Sequence, residues 1–228
     1  MKYSVVIPCF NEEKGIGNVV NNLPKDDCEI IVVDNNSSDQ TAEIARKAGA
    51  KIVPETQKGY GYALKKGFVS AIGEYIITLD GDGQYPANQV EELINMAIKD
   101  NYDLLSCSRF PAKNSRSLSF ARKLGNLFLT TLANIIFGIS LKDSQSGMFI
   151  FKKSIYNSIA PKSNDMPLSQ EIKIRAFLNP KFKCGETWIP YQERLGDSKL
   201  FPIRHGIINA LGLFSLRSEL KKNRNGFK

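Results

Sequence analysis

Short, largely apolar runs recur along the first half of this chain, each followed by a polar cluster and then by a segment of helical period. Residues 3–7, 29–33, 51–54, 75–79 and 103–108 form the runs, and they read as strands covered on both faces. Between them, Val90, Leu93, Ile94, Ala97 and Ile98 give one apolar face to a helix over 88–99. Further helices are expected up to about residue 22, over about 40–48 and up to about 72. Alternation at this spacing predicts an α/β fold of βαβ units around a mostly parallel central sheet flanked by helices. The second half has another rhythm. A long helix rich in Leu, Ile and Phe is expected over 116–141, a strand over 148–151, helices over 154–159 and 168–177, and a strand over 182–189. Residues 202–220 read as an amphipathic helix that runs into a charged tail.

The polar clusters at 11–13, 34–39, 80–84 and 108–109 all fall where strands end. Ligands of parallel sheets bind beyond those carboxyl ends, so the clusters are expected to form one site. The sharpest of them is Asp80-Gly81-Asp82-Gly83-Gln84-Tyr85-Pro86. Two carboxylates so close repel unless a cation lies between them, and hard oxygen ligands suit Mg²⁺ or Mn²⁺. Taken alone the motif is also an ordinary polar turn; its level with the other clusters favours the cation.

Charge and composition add a direction. The 228 residues fit one domain, taken as 1–200, with a basic amphipathic appendage over 201–228. The net charge is +8, and Arg194, Lys199, Arg204, Arg217, Lys221, Lys222, Arg224 and Lys228 face only Asp197 and Glu219 at the end, which leaves +6 there. Such an end suits phosphate-bearing substrates, an anionic membrane surface or nucleic acid. Cys9, Cys28, Cys107 and Cys184 show no paired spacing, which argues against a zinc site or a disulfide framework and for a reducing compartment. Met1-Lys2-Tyr3 enters a strand directly, so no signal peptide is expected. No run reaches the roughly 18–20 apolar residues of a spanning helix; 127–141 is broken by Thr130, Thr131 and Asn134.

The motifs in order resemble glycosyltransferase family 2 with the GT-A (Rossmann-like) fold, and more narrowly its dolichyl- or polyprenyl-phosphate mannosyltransferase branch. The carriers are Val6-Ile7-Pro8-Cys9-Phe10-Asn11-Glu12-Glu13, Val32-Val33-Asp34-Asn35-Asn36-Ser37-Ser38-Asp39, Gly59-Tyr60-Gly61-Tyr62, the Asp80–Pro86 stretch, Ser108-Arg109, Asp143-Ser144-Gln145-Ser146-Gly147 and Arg194-Leu195-Gly196-Asp197-Ser198-Lys199. The resemblance implies an inverting, metal-dependent transfer of a hexose, foremost mannose from GDP-mannose, to a polyprenyl or dolichyl phosphate. It implies that Pro8, Phe10, Glu12, Asp34, Asp80 and Glu171 bind the sugar nucleotide, and that Asp80, Asp82 and Gln84 hold Mg²⁺ or Mn²⁺. Asp82, Arg109 and Arg194 would serve catalysis, while Arg122, Ser198 and Lys199 would meet the acceptor phosphate. The chain departs from the family pattern at Gly83, often apolar, and at Tyr85, usually histidine; neither change removes a ligand.

A lipid acceptor implies work at a membrane surface, on its cytoplasmic face, with the 127–141 stretch and the 202–220 helix as amphipathic attachment elements. The plainer readings of 127–141 are a core helix or the face of a homo-oligomer. UDP-glucose, another sugar nucleotide or a non-lipid acceptor fits the same motifs. A nucleotidyltransferase is less favoured, because the turn after the first strand is acidic and lacks clustered glycine. A non-enzymatic basic binding module leaves the ordered carboxylates unexplained, so nucleic acid is not the expected partner. His205, the single histidine, reads as a polar member of the tail helix.

Overall fold

A computed structural model describes residues 2–111, 119–197 and 202–225. Seven strands form one sheet: β1 (Tyr3–Cys9), β2 (Cys28–Asp34), β3 (Lys51–Pro54), β4 (Tyr75–Thr78), β5 (Leu104–Ser108), β6 (Phe149–Lys152) and β7 (Cys184–Trp188). Their order in the sheet is β3-β2-β1-β4-β6-β5-β7. All pairings are parallel except those of β6, which runs against both β4 and β5. The expected mostly parallel sheet is present, with one reversed strand that periodicity could not orient.

The continuous apolar runs are explained by two cores, one on each face. Alternate residues of a strand point to opposite sides. Val5, Ile7 and Cys9 of β1 enter one core, where α1 (Ile16–Asn21) and α4 (Val90–Lys99) cover them. Val6 enters the other, under α3 (Tyr60–Ser70) and α7 (Leu168–Leu178). The fit against α3 is close: a Cβ on Gly67 would lie 2.3 Å from Val6 Cγ1. Two further short helices, α2 (Thr41–Lys47) and α6 (Tyr156–Ile159), complete the flanks.

A third, smaller cluster joins α7 to α5 (Phe120–Phe137) and α8 (Pro202–Asn225) through Ala133, Ile174, Leu213 and Leu216. At Gly212 a Cβ would come within 2.8 Å of Pro167, so α8 rests directly on the start of α7. The helix expected over 116–141 begins, within the described residues, at Phe120 and ends at Phe137. Ser119 caps its start, and Gly138 takes the left-handed conformation at its end, with φ 66°. Asn134 then closes the following turn, donating to Leu141 O and accepting from Leu141 N, both at 2.9 Å.

Phe151 sits at the centre of the α3 side, 1% exposed, with its ring 5.1 Å from that of Phe68 in an edge-on arrangement. Truncation to alanine leaves a cavity between sheet and helix, and Phe151→Ala is expected to lower unfolding free energy by about 3–5 kcal/mol in a urea titration.

Candidate active site at the carboxyl edge of the sheet

A cavity of about 350 Å³ opens at the carboxyl ends of β1, β2 and β4. Its wall includes Pro8, Phe10, Glu12, Asp80, Asp82, Gln84, Arg109 and Arg194. Phe10 is 42% exposed there, which removes core packing as its role. The loop after β4 is pressed against the end of β1: a Cβ on Gly81 would lie 2.6 Å from Cys9 Sγ, and one on Gly15 the same 2.6 Å from Gly81 O. Glycine at both positions lets the carboxylates approach the end of β1.

The 11–13 segment does not cap its own helix, which starts only at Ile16. Its amides turn to the loop after β2 instead. Asn11 N donates to Ser37 Oγ (3.0 Å), Glu12 N to Thr41 Oγ1 (2.7 Å) and Glu13 N to Asp39 Oδ2 (3.2 Å). Asn11 adopts φ 55° to make that turn, a conformation asparagine tolerates. The two polar clusters thus brace one another.

Three carboxylates meet at this edge. The Arg194 guanidinium bridges Glu12 and Asp82. Asp80 accepts a hydrogen bond from the Tyr60 hydroxyl at 3.3 Å. Burial, then the neighbouring Asp82, pushes the Asp80 carboxyl up to about 7. A carboxylate so disfavoured gains from a cation beside it, so the donor chemistry fits a divalent ion held by Asp80 and Asp82. Among the described residues no cluster of three or more His, Cys, Asp or Glu could hold a metal; oxygens of a bound diphosphate would complete the shell. Gln84 is already engaged at both ends of its amide. Its Oε1 accepts from the Tyr191 hydroxyl (2.9 Å) and its Nε2 donates to Gln192 O (3.2 Å), which ties the loop to the segment leading to Arg194.

Arg109 is occupied as well. Its Nε and Nη2 donate to the two Asp143 oxygens at 2.7 and 2.9 Å, and its amide adds a third bond at 3.1 Å. The guanidinium also stands 5.3 Å from the Tyr191 ring centre. Burial alone would raise the Asp143 carboxyl, yet Arg109 holds it below the usual range. Behind this pair the buried Lys173 donates to Asp143 O (3.1 Å) and Ser146 O (2.8 Å), with burial drawing its ammonium down to about 8. Tyr85 accepts from Gly147 N at 2.6 Å. The 143–147 loop is therefore fixed from three sides.

Other expected site residues lie away from the cavity wall. Asp34 accepts from Ser37 N at the end of β2, and the neighbouring Asn35 lines the cavity in its place. Glu171 is buried and pairs with Arg175 while accepting from the amides of Lys162 (2.9 Å) and Ser163 (2.8 Å). Arg122 sits in the first turn of α5, where its amide donates to Ser119 Oγ. Ser198 and Lys199 lie outside the described residues. Conversely, Tyr60, Gln145, Ser169, Gln170, Tyr191, His205 and Asn209 line the cavity without having been singled out for it. Tyr60 and Gln145 stood inside quoted motifs, whereas the α7 and α8 residues carried no sequence signal.

The family model described as glycosyl transferase family 2 matches residues 4–160. The chain belongs to glycosyltransferase family 2. Dolichyl-phosphate hexose transferase of Haloferax volcanii is 31% identical over 206 residues, covering 89% of this chain and 88% of that relative. The UDP-N-acetylglucosamine–dolichyl-phosphate N-acetylglucosaminyltransferase of Methanococcus voltae is 31% identical over 173 residues, covering 66% of this chain and 69% of that one. Among solved structures, glucosyl-3-phosphoglycerate synthase from Mycobacterium tuberculosis, in complex with Mn²⁺, UDP-glucose and phosphoglyceric acid, superposes with a TM-score of 0.74. It shares 18% identity, with 95% of this chain and 80% of that chain covered. The fold of this family 2 glycosyltransferase is accordingly GT-A.

Lys173 gives a measurable handle on the 143–147 loop of this transferase. Its folded-state value of about 8 lies below the roughly 10.4 of an unfolded lysine. The unfolded chain therefore binds more protons between these values, and the contribution of Lys173 to stability grows as pH rises through that window. Lys173→Met also strips the donor from two buried carbonyls. Thermal melts should place the variant below wild type, with a wider gap near pH 9.5 than near pH 7; a constant or narrowing gap contradicts the assignment.

Proposed function

We propose that this glycosyltransferase moves a hexose from a sugar nucleotide to a polyprenyl or dolichyl phosphate at a membrane surface. The observation that carries this reading is the placement of α8. One side of it lines the cavity through His205 and Asn209. Its other side exposes Ile203 (82%), Ile207, Leu211 and Phe214. Neighbouring α5 adds Phe120, Leu124, Leu127, Phe128 and Ile135, all exposed, while its Leu129 and Ala133 are buried. The part of the 127–141 stretch up to Phe137 is thus a surface helix with one buried side. Among the described residues no helix is long and apolar enough to cross a membrane. Paired helices with outward apolar side chains, and with Arg204, Arg217, Lys221 and Lys222 along α8, suit docking into an anionic interface. The two relatives named above, whose names both carry dolichyl phosphate, support the lipid acceptor, and the four free cysteines support the cytoplasmic face. A second copy of the chain is the other occupant such a face suits.

In the reaction, a phosphate oxygen of the acceptor attacks the anomeric carbon as the nucleoside diphosphate departs from the opposite side, inverting that centre. The acceptor is already an anion near neutral pH, so it needs orientation and charge neutralisation more than a strong base. A divalent ion, Mg²⁺ or Mn²⁺, would neutralise charge on the departing diphosphate, with Asp80 and Asp82 to hold it. Arg194 faces the same carboxylates and is the described cation best placed to turn toward phosphate. Arg109 is committed to Asp143 and serves by holding the 143–147 loop; Ser198, Lys199 and Arg122 remain candidates for the acceptor side. Pro8 and Phe10 would meet the nucleoside, with Asp34, whose Oδ1 accepts from Ser37 N, a further candidate at the end of β2. GDP-mannose is the donor suggested by the mannosyltransferase-like motifs; UDP-linked sugars are suggested by the UDP-N-acetylglucosamine and UDP-glucose of two similar proteins.

Incubation with labelled GDP-mannose or UDP-glucose, Mn²⁺ and a polyprenyl phosphate should carry label into the organic phase. A chelator should abolish it, and Asp82→Ala should reduce it on the order of a hundredfold or more. No transfer from any donor, or an Asp82→Ala enzyme as active as wild type, overturns the reading. The membrane part is tested separately by flotation with anionic vesicles. Burying each aliphatic side chain is worth roughly 1.5–3 kcal/mol, so Ile207→Asp with Leu211→Asp should abolish flotation while transfer to a detergent-dispersed acceptor persists.

A further inference from the structure

Tyr60 reaches the carboxylate edge from a helix whose start is clamped on two sides. It is the first residue of α3. On one side Asn35, just beyond β2, holds the incoming chain. Its Oδ1 accepts from Gly59 N (2.9 Å), and its Nδ2 donates to Glu55 O (3.0 Å) and Gln57 O (2.7 Å). On the other side the 162–165 segment presses on the helix. A Cβ on Gly59 would lie 2.6 Å from Asn164 O, and one on Gly61 2.4 Å from Asn164 C. Tyr62 N donates to that same Asn164 O at 3.2 Å, and Lys65 Nζ to Asn164 Oδ1 at 2.8 Å. The backbone of Tyr60 is therefore fixed before any ligand arrives.

Its side chain is held as closely. The ring packs against the core on the α3 side of the sheet. Ser169 of α7 hydrogen-bonds the hydroxyl, and a Cβ on Gly147 would stand 2.9 Å from that oxygen. The hydroxyl meets Asp80 Oδ1 at 3.3 Å, and among the described residues that is the hydrogen bond the carboxylate accepts. Asp82 is treated alike. Its Oδ1 accepts from Gln84 N at 3.0 Å, and its Oδ2 is the oxygen that meets Arg194. A carboxylate with one oxygen engaged offers the other as a single donor. Mg²⁺ and Mn²⁺ take single oxygens in a near-octahedral set, whereas Ca²⁺ takes more of them and readily takes both of one carboxylate.

We infer that Tyr60 is a positioning residue of the cation site: its hydroxyl engages Asp80 Oδ1, so that the carboxylate offers Oδ2 alone and the site prefers Mg²⁺ or Mn²⁺ to Ca²⁺. The inference rests on the reading of Asp80 and Asp82 as holders of the divalent ion and adds the group that orients one of them. Tyr60 touches neither ion nor substrate in this role. The glycines at 59, 61 and 147 serve the same end, since a side chain at any of them would displace the helix start or the hydroxyl.

Titration calorimetry of Mn²⁺ and of Ca²⁺ into the protein, with UDP or GDP present, tests it. Tyr60→Phe keeps the ring and its packing and removes only the hydroxyl, so its melt should stay cooperative and close to that of wild type. Mn²⁺ binding should weaken roughly tenfold, the lower end for losing a partner behind a metal ligand. Ca²⁺ binding should weaken less, so the preference for Mn²⁺ narrows. Affinity for UDP or GDP in the presence of a chelator should not change. Ser169→Ala, which leaves the phenol in place and removes its support, should act in the same direction and by less. An Mn²⁺ affinity that Tyr60→Phe leaves as it was, a preference over Ca²⁺ that does not move, or an equal loss of metal-free nucleotide binding overturns the inference while the ion reading stands. A wild type that binds neither ion removes the ion reading, and the role of Tyr60 with it.

Discussion

Glu12, Asp80 and Asp82 bring three carboxylates to one edge of one sheet, and their mutual repulsion governs what surrounds them. Placing like charges together in a partly desolvated cleft is unfavourable unless cations or protons intervene. The fold meets this in two ways. Arg194 is brought back from the far end of the chain to lie across Glu12 and Asp82, and Asp80 is left with a carboxyl that holds its proton up to about 7. The buried Cys9 thiol, close to all of these acids, is pushed well above its ordinary value, by burial first, and stays neutral. The segment carrying Arg194 is tied down by backbone bonds from Gln192 to Gln84 and from Leu195 to Asp82, so the counter-charge does not depend on a free side chain finding its target.

The second buried ion pair has a different role. Arg109 and Asp143 satisfy each other almost fully, and Lys173 crosses beneath them to the loop carbonyls. Such a pair adds little net stability against apolar packing. What it fixes is position: the loop between α5 and β6 is given one conformation at the point where it enters the cavity. Glu171 works alike on another loop, gathering the amides of Lys162 and Ser163 while paired with Arg175.

Much of this was legible in the chain. Apolar runs ending in acidic clusters located five strands and the edge that carries the cavity, because a parallel sheet exposes function only at strand ends. The Asp80-Gly81-Asp82 spacing was readable for the same reason. Pairings across long separations were not. Arg194 meets Glu12 across 182 positions, and nothing local marks a surface-like arginine as the counterion of a distant acid. Glu171 was expected at the sugar nucleotide because a helical glutamate looks the same in sequence whether it faces a ligand or the amides of a neighbouring loop. The lining residues of α8 were hidden because an amphipathic helix was assigned one job, its apolar side, while its small polar residues carried no pattern. The direction of β6 was equally silent: Phe149, Ile150 and Phe151 are buried on both faces in either orientation.

That reversal of β6 divides the labour of the site. With every strand parallel, only segments that leave the sheet would reach the cavity. Because one strand runs the other way, a segment that enters the sheet reaches it too. The residues toward β2 and those toward β6 therefore come from separate stretches of chain, which meet at the carboxylates after β4 and again where the Tyr60 hydroxyl lies against Gly147. A single antiparallel strand thus lets the two sides of one continuous cleft be built from segments that leave the sheet and from one that enters it.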